Sequence, residues 1–251
     1  MIDLKNDNGI VTITITHGKA NALDIELSEK LARCFQQISE SAARAVVVTG
    51  QGRIFSAGVD LVRLGSGGAD YVRKFLPALH RAFNAVFFCP KPVVAAINGH
   101  AIAGGCVLAC CADRRIMARA NGRIGVTELL VGVPFPATAF EVMRFAVPAR
   151  HLQELLFGGA TYDVDAAVER GLLDVIVPAD ELLPSAIAAA EQLAALSSAA
   201  FAQTKAQLRA EARERLERTG AATDEVATDI WAAESTLAYV RDYVARTLKK
   251  A

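Results

Sequence analysis

The chain has 251 residues, with 27 Lys or Arg against 27 Asp or Glu, so its formal net charge is zero. A nucleic-acid-binding protein usually carries a basic excess, which this chain as a whole lacks. Hydrophobic residues make up 53% of the sequence, and this fraction excludes a disordered chain. The length fits one large domain, or one domain with a helical appendage.

The sequence carries no sign of a membrane or secretory protein. No apolar run approaches the ~20 residues that span a bilayer, and the opening Met-Ile-Asp-Leu-Lys lacks a signal pattern. The five cysteines are odd in number, two are adjacent, and there is no CxxC motif, so neither a disulfide framework nor a zinc site is expected. We therefore expect a cytoplasmic protein with buried, reduced cysteines and no metal.

The first part of the chain alternates predicted strands and helices. Residues 10–15 alternate apolar residues with threonine, which predicts a half-buried strand, and Asp24 is the predicted N-cap of an amphipathic helix. Residues 45–48 and 93–97 are continuous apolar runs, typical of strands buried on both faces. Between them, the glycine-rich residues 65–69 predict a flexible loop.

A helix is expected over residues 70–87, kinked at Pro77, and the last strand over residues 174–177. From Glu181 onward the pattern is helical only, so the sequence predicts an α/β core with a helical appendage. The interleaved Arg and Glu of residues 209–218 predict a solvated helix face. The alternative is a subunit interface, to which the nearby apolar residues would contribute: Ile230, Trp231, Leu237 and Tyr239.

Two turns rich in small residues follow the buried strands. Residues 55–61 (Phe-Ser-Ala-Gly-Val-Asp-Leu) let a ligand approach the backbone closely. Residues 99–107 contain a Gly-Gly pair where a helix opens, which leaves free N–H groups and the positive end of the helix dipole for an anion or oxyanion. Taken singly, each turn is equally consistent with an ordinary glycine turn or tight packing.

Glu128 is the third chemical feature, because it lies within the apolar residues 124–133. A carboxylate in apolar surroundings has a raised pKa, in the range useful for a proton carrier. The alternative for Glu128 alone is an exposed side chain on a turn.

Four segments together resemble the crotonase superfamily, the enoyl-CoA hydratases and isomerases. They are residues 19–23 (Lys-Ala-Asn-Ala-Leu), residues 55–61, residues 103–106 (Ala-Gly-Gly-Cys) with 111–113 (Cys-Ala-Asp), and residues 126–128 (Val-Thr-Glu) with 132–134 (Gly-Val-Pro). The resemblance implies an α/β, right-handed spiral of strand-strand-helix units over residues 1–195. It also implies that residues 196–251 form a helical oligomerisation region that builds homotrimers or dimers of trimers.

The resemblance further implies an acyl-CoA thioester substrate, with coenzyme A arriving as part of that substrate and no separate cofactor. The main-chain N–H groups of Val59 and Gly104 would hold the thioester oxygen, and losing one such donor typically costs ~2.7–4 kcal/mol of transition-state stabilisation. The same resemblance places the binding contacts at Lys19, Ala20, Ala22, Ala57, Gly58, Asp60, Leu61 and Gly105.

The catalytic carboxylates select the reaction within this superfamily. The resemblance implies that hydratases use two glutamates, and the first of these positions is Val107 here, whereas Glu128 is retained. A single carboxylate suits a 1,3-proton shift from C2 to C4 of a 3-enoyl-CoA, with Val107, Leu130 and Phe135 expected to exclude water. Glu141 is a possible replacement for the missing carboxylate.

The leading hypothesis is therefore an enoyl-CoA isomerase. The alternatives are an enoyl-CoA hydratase, a non-catalytic acyl-CoA-binding homologue and an RNA-binding role, the last disfavoured by the zero net charge. Neither nucleic acid nor a membrane is an expected partner.

Overall fold

The computed structural model describes residues 1–247. The β-strands are β1 (Ile2–Asp7), β2 (Ile10–Ile15), β3 (Ala45–Gly50), β4 (Ile54–Ser56), β5 (Val93–Ile97), β6 (His100–Ile102), β7 (Arg114–Ala118), β8 (Ile124–Gly125) and β9 (Val175–Val177). The α-helices are α1 (Ile25–Glu40), α2 (Leu61–Phe87), α3 (Gly104–Cys110), α4 (Ala137–Ala146), α5 (Ala149–Gly158), α6 (Val164–Glu169), α7 (Leu182–Ala194), α8 (Ser198–Leu208), α9 (Ala210–Arg215), α10 (Ala221–Ala232) and α11 (Glu234–Thr247). Short 3₁₀ turns cover Glu128–Val131 and Ala179–Glu181, and a π-helical segment, Leu216–Gly220, joins α9 to α10.

The chain winds through repeated strand-strand-helix units. A six-stranded sheet has the order β1-β2-β3-β5-β7-β9 and is parallel except for β1, which is antiparallel to β2. After β3, β5 and β7 the chain enters the short strands β4, β6 and β8, which form a second, parallel sheet. Helix α2 follows β4 and helix α3 follows β6. The predicted α/β fold and its strand-strand-helix units are confirmed.

Both faces of the larger sheet are covered, as the continuous apolar runs predict. Alternate residues of β3 point to opposite faces, so Val46 and Val48 join the main core, whereas Val47 packs in a second cluster with Leu182 and Ala186 of α7. Asp24 caps α1 as predicted, accepting a hydrogen bond from the Leu27 N–H at 2.8 Å. The five cysteines are buried and free.

The loop predicted over residues 65–69 is wrong, because these residues lie inside α2. Only Gly68 leaves helical geometry (φ 65°, ψ −160°), so the break in α2 is there and not at Pro77. A Cβ on Gly65 would lie 3.0 Å from the Arg241 side chain, so α11 crosses α2 at this glycine-rich turn. Gly65 therefore allows close helix packing, whereas Gly68 allows the break in α2.

The prediction of a solvated face for residues 209–218 is wrong at Arg209, which is 2% exposed. Its guanidinium donates to Asp113 Oδ1 at 2.8 Å and lies over the Phe87 ring, 4.2 Å from the centroid. Lys205 of the preceding helix donates to the other oxygen of Asp113 at 2.6 Å. The charge pattern therefore contains a buried ion cluster that ties the C-terminal helices to the core.

The helices after residue 195 share the main core of the spiral, since Trp231, Leu237 and Val240 are buried there. Ile230 and Tyr239 remain exposed in the single chain. The division into residues 1–195 and 196–251 stays a prediction, as do the trimer and the dimer of trimers, and residues 248–251 of that region lie outside the described residues. Within residues 1–247 no single helix is long and apolar enough to cross a membrane, although the bent pair Ala179–Ala194 and Ser198–Leu208 would match a span in length and composition.

Candidate active site

A cavity of about 560 Å³ lies where the small sheet meets α2, α3, α4 and the C-terminal helices. Most of its lining is apolar, and Glu128 lies among these apolar side chains. The two small-residue turns singled out from the sequence both contribute residues, including Val59 and Gly104. The structure therefore brings the predicted chemical features together.

The first turn is held in place by the segment that precedes α1. The Ala57 N–H donates to the Ala20 carbonyl at 3.0 Å, and the Leu23 N–H donates to the Gly58 carbonyl at 2.7 Å. Ser56 supports the turn from inside, because its hydroxyl donates to the Asn21 carbonyl at 2.8 Å and accepts from the Gly58 N–H at 3.2 Å. These bonds account for the Lys-Ala-Asn-Ala-Leu motif, whose backbone positions the turn beside the cavity.

The second turn contains strained backbone. Ala103, the residue before α3, has φ 50° and ψ −123°, a conformation that is costly for a residue with a Cβ. The Ala103 N–H donates to the Gly125 carbonyl at 2.8 Å, which ties the strained residue to β8. A Cβ on Gly105 would lie 2.2 Å from the Ser56 carbonyl oxygen, so only glycine allows α3 to approach β4 this closely.

The N–H groups of Val59 and Gly104 have no protein acceptor among residues 1–247. Both residues line the cavity. Gly104 is the first residue of α3, where an intrahelical acceptor is lacking. Two unpaired main-chain donors in one cavity are the arrangement that stabilises negative charge on a bound oxygen atom.

Glu128 begins a 3₁₀ turn and is 7% exposed, so the alternative of an exposed glutamate is wrong. Burial raises the pKa of Glu128 from its ordinary 4.5 to about 7, and main-chain hydrogen bonding at Glu128 and Thr127 offsets a smaller part of that rise. Its Oε2 atom is buried and has no hydrogen-bond partner among the described residues. This carboxyl group can therefore exchange a proton near neutral pH.

Two other carboxylates have hydrogen-bond partners within the protein. Asp60 lines the cavity, but its Oδ1 caps α2 by accepting from the Arg63 N–H at 2.9 Å. Glu141 lines a different cavity, where it accepts from Arg144 at 3.1 Å and from Arg215 at 2.8 Å. The replacement considered for Glu141 is thus wrong, because its side chain is paired elsewhere.

Val107, which the resemblance aligns with a hydratase glutamate, is fully buried at the cavity wall. The prediction that Leu130 and Phe135 help to exclude water is wrong. Leu130 is 46% exposed, and Phe135 lines the cavity that contains Glu141. Val131 and Val133 take the expected place in the apolar wall.

The cavity opens beside the segment before α1. Lys19 is exposed there, and the neighbouring His17 pairs its Nε2 with Asp24 Oδ2 at 2.6 Å. Asp24 also accepts from Arg63 at 2.7 Å, so the side chain of His17 belongs to a hydrogen-bonded network that includes Arg63. The end defined by His17, Lys19 and Asp60 is called the mouth below.

Most predicted binding residues line this cavity, namely Lys19, Ala20, Ala22, Ala57, Asp60 and Leu61. Gly58 and Gly105 do not line it and instead allow the two turns and β4 to pack closely. The sequence reasoning missed Trp231 and Tyr243, which reach the lining from α10 and α11. Both residues lie more than 100 positions after Glu128 in the sequence, so no local sequence pattern links them to the site. Among residues 1–247 no group of three or more His, Cys, Asp or Glu could hold a metal ion.

Comparison with known proteins identifies the family. The family model described as enoyl-CoA hydratase/isomerase matches residues 5–245. A putative enoyl-CoA hydratase from Thermus thermophilus is 32% identical over 209 residues, 82% of this chain and 82% of that protein. The human mitochondrial Delta(3,5)-Delta(2,4)-dienoyl-CoA isomerase is 31% identical over 204 residues, 76% of this chain but only 62% of that enzyme's length.

The fold agrees with that of a solved relative. The crystal structure of human mitochondrial Δ3-Δ2-enoyl-CoA isomerase superposes with a TM-score of 0.94, covering 99% of this chain and 98% of that one at 23% identity. The chain belongs to the enoyl-CoA hydratase/isomerase family and has the crotonase fold. Enzymes of this family act on acyl-CoA thioesters.

Proposed function

We propose that the chain is a Δ3-Δ2-enoyl-CoA isomerase, which moves the double bond of a 3-enoyl-CoA from C3–C4 to C2–C3. The observation that carries this proposal is a buried carboxyl group in the cavity with one oxygen that has no partner among the described residues. Glu128 has a pKa near 7 and shares the cavity with the N–H groups of Val59 and Gly104, whereas Val107 replaces a second carboxylate.

In the proposed reaction the thioester oxygen accepts hydrogen bonds from Val59 and Gly104. The ionised Glu128 removes a proton from C2, and the electron pair of that C–H bond delocalises through C3–C4 and the carbonyl as a dienolate. The two N–H groups stabilise the negative charge on oxygen. Glu128, now protonated, returns the proton to C4, so the C2–C3 double bond forms and the thioester carbonyl is restored.

The raised pKa of Glu128 suits both halves of this reaction. Near pH 7 a substantial fraction of Glu128 is ionised in the free protein and can act as a base. The protonated form is a weak acid, so it does not readily lose its proton to water. The unpartnered Oε2 leaves one oxygen free to meet the substrate. Burial raises the pKa of Glu128, so the apolar wall around this residue contributes to the proposed catalysis.

One carboxylate favours this shift over the other reactions of the family. The C2 and C4 atoms are separated by a single carbon, so one carboxyl group can serve both. Moving a proton from C2 to C6 of a 3,5-diene spans three intervening carbons, and adding water across C2–C3 requires a group that orients the water. Val107 supplies no such group.

Purified protein incubated with a 3-enoyl-CoA and, separately, with a 2-enoyl-CoA tests the proposal. We expect conversion of the first to the 2-enoyl ester and little hydration of the second. Glu128→Gln should lower kcat by about 10²- to 10⁴-fold, since it removes the proton carrier. Rapid hydration without isomerisation would indicate a hydratase, and tight binding of both esters without turnover would indicate a non-catalytic homologue. Either result would reject the proposal.

A further inference from the structure

Three helices contribute a purely apolar part of the cavity lining. Leu79 and Phe83 come from α2, Ala139 from α4 and Trp231 from α10, and each of the four side chains is at most 3% exposed. This set is called the inner end below. A Cβ on Gly104 would lie 3.7 Å from the Phe83 ring, so the inner end begins directly beside the second N–H-bearing turn.

Trp231 is fixed with its ring against the cavity. Its indole Nε1–H donates to the Pro134 carbonyl at 2.8 Å, so the polar atom of the side chain is already paired. Only apolar ring surface remains for a ligand. Asp224 lies seven residues earlier on α10, on the same helix face as Trp231, and both residues meet the start of α4.

The wall contributed by α4 is held by neighbouring helices. Pro136 precedes α4 and provides no side-chain cap. The Ala137 N–H donates to Asp224 Oδ1 at 2.8 Å, and the Thr138 N–H donates to His80 Nε2 at 3.2 Å. Because Nε2 accepts that bond, the His80 Nδ1–H donates to Asp224 Oδ2, at 2.9 Å. Residues of α2 and α10 therefore fix the position of Ala139.

The charges define the direction in which a substrate enters. Coenzyme A is large and anionic, and Lys19 is the exposed cation at the mouth. The four residues of the inner end carry no charge and no unpaired polar side-chain atom. A thioester whose oxygen meets Val59 and Gly104, with its coenzyme A portion at the mouth, would place its acyl chain against the apolar residues of the inner end.

We propose that Trp231 is the specificity-determining residue that limits the length of the acyl chain accepted at the inner end. This inference rests on the proposed acyl-CoA substrate, but it does not depend on which reaction Glu128 performs. The closed wall of α2, α4 and α10 leaves no polar partner for a charged or hydroxylated chain end. The indole ring is the largest side chain of this wall.

Binding of saturated acyl-CoA esters, measured by calorimetry, tests the proposal without any turnover. Each added methylene should raise the affinity about fourfold until the chain reaches Trp231, after which the affinity should stop rising. In Trp231→Ala the rise should continue for about two or more further carbons. Ala139→Leu reduces the cavity from the side of α4, so its limit should fall by about two carbons.

Ile230→Ala is the matched control, since Ile230 is the neighbour of Trp231 on α10 but is 41% exposed and outside the cavity. Its chain-length limit should equal that of the wild type. If Trp231→Ala does not fold, Ala139→Leu still decides the question. An unchanged limit in every folded variant at these two positions would overturn the inference, even if the wild type isomerises 3-enoyl-CoA. A wild type that binds these esters with a sharp limit but shifts no double bond would reject only the proposed function.

Discussion

A methyl group on Gly58 would lie 3.1 Å from the amide nitrogen of Gly104, so the two turns that contain Val59 and Gly104 are in direct contact. The same methyl group would lie 2.6 Å from the Ile102 carbonyl oxygen, and Gly58 has φ +82°. Neither turn can move without the other. The distance between the two donors is therefore set by glycine packing and not by a side chain.

Gly58→Ala should lower kcat/KM by about 10²- to 10³-fold, comparable with the loss of one oxyanion donor, because the added Cβ forces the turns apart. The matched control is Gly52→Ala, which also has positive φ (+71°) but no atom within 4 Å of its Cβ position. Its backbone strain should cost stability while leaving kcat/KM close to the wild type. Equal activities of the two folded variants would contradict the role assigned to this contact.

The pKa of Glu128 predicts the pH dependence of the reaction. Only the ionised form removes the C2 proton, so kcat/KM should rise about tenfold per pH unit below pH 7 and level off above it. Initial rates between pH 5 and pH 9 with one 3-enoyl-CoA would measure this profile. A plateau that extends down to pH 5 would mean that Glu128 has an ordinary pKa or is not the base.

The same shift makes Glu128 costly for stability at high pH. Below pH 4.5 both folded and unfolded forms are protonated, and no cost arises. Between pH 4.5 and about 7 the unfolded chain loses the proton while the folded chain keeps it, so stability falls as pH rises. The full cost, about 3 kcal/mol, is present above pH 7.

Glu128→Gln removes this ionisation and should therefore be more stable than the wild type at pH 8, but not at pH 4.5. Urea unfolding at the two pH values measures the difference in the free energy of unfolding. A stability difference that does not change with pH would show that Glu128 does not titrate in this range. An inactive but stabilised variant is the expected result for a residue held in an unfavourable state for catalysis.

Glu141 offers a carboxylate control for Glu128. Its side chain is 9% exposed and pairs with Arg144 and Arg215 outside the main cavity. Glu141→Gln should leave kcat within about twofold of the wild type while lowering the free energy of unfolding by about 1 to 3 kcal/mol, because charged hydrogen bonds are lost. A large loss of kcat with intact folding would restore Glu141 as a candidate second carboxylate.

Asp113 is expected to be more important for folding than any exposed carboxylate. Lys205 and Arg209 are both buried and share this one side chain, so Asp113→Asn leaves two cations short of a counter-charge. We expect a loss of about 3–5 kcal/mol in the free energy of unfolding. Asp165→Asn, which breaks an exposed pair with Arg119, should change stability little. Similar urea midpoints for both variants would contradict this account.

The sequence predicted the elements whose pattern is local. Three such patterns depend only on neighbouring residues and agree with the structure. They are the alternation of residues 10–15, the Asp24 cap and the apolar runs of β3 and β5. The strands β4, β6 and β8 contain two or three residues each. Runs this short show no period, so the smaller sheet was recognisable only through the resemblance to a family.

Other features depend on contacts between distant parts of the chain. Glycine propensity predicts a loop at residues 65–69, but the structure has a single non-helical residue there, Gly68, and Gly65 packs against α11. Arg209 is buried because Asp113 and Phe87 provide a counter-charge and an aromatic face. Neither partner is identifiable from the Arg and Glu pattern of the tail. For the same reason, no sequence motif indicates that Trp231 and Tyr243 line the cavity.

The contribution of Trp231 and Tyr243 to the cavity has a consequence for how the protein is made. A chain emerging from the ribosome can assemble the sheet, α3 and the turn of Glu128 well before α10 and α11 are synthesised. Until then the cavity lacks the part of its lining that Trp231 and Tyr243 provide. The cavity that contains Glu128 is therefore complete only after α10 and α11 have been synthesised and packed against the rest of the fold.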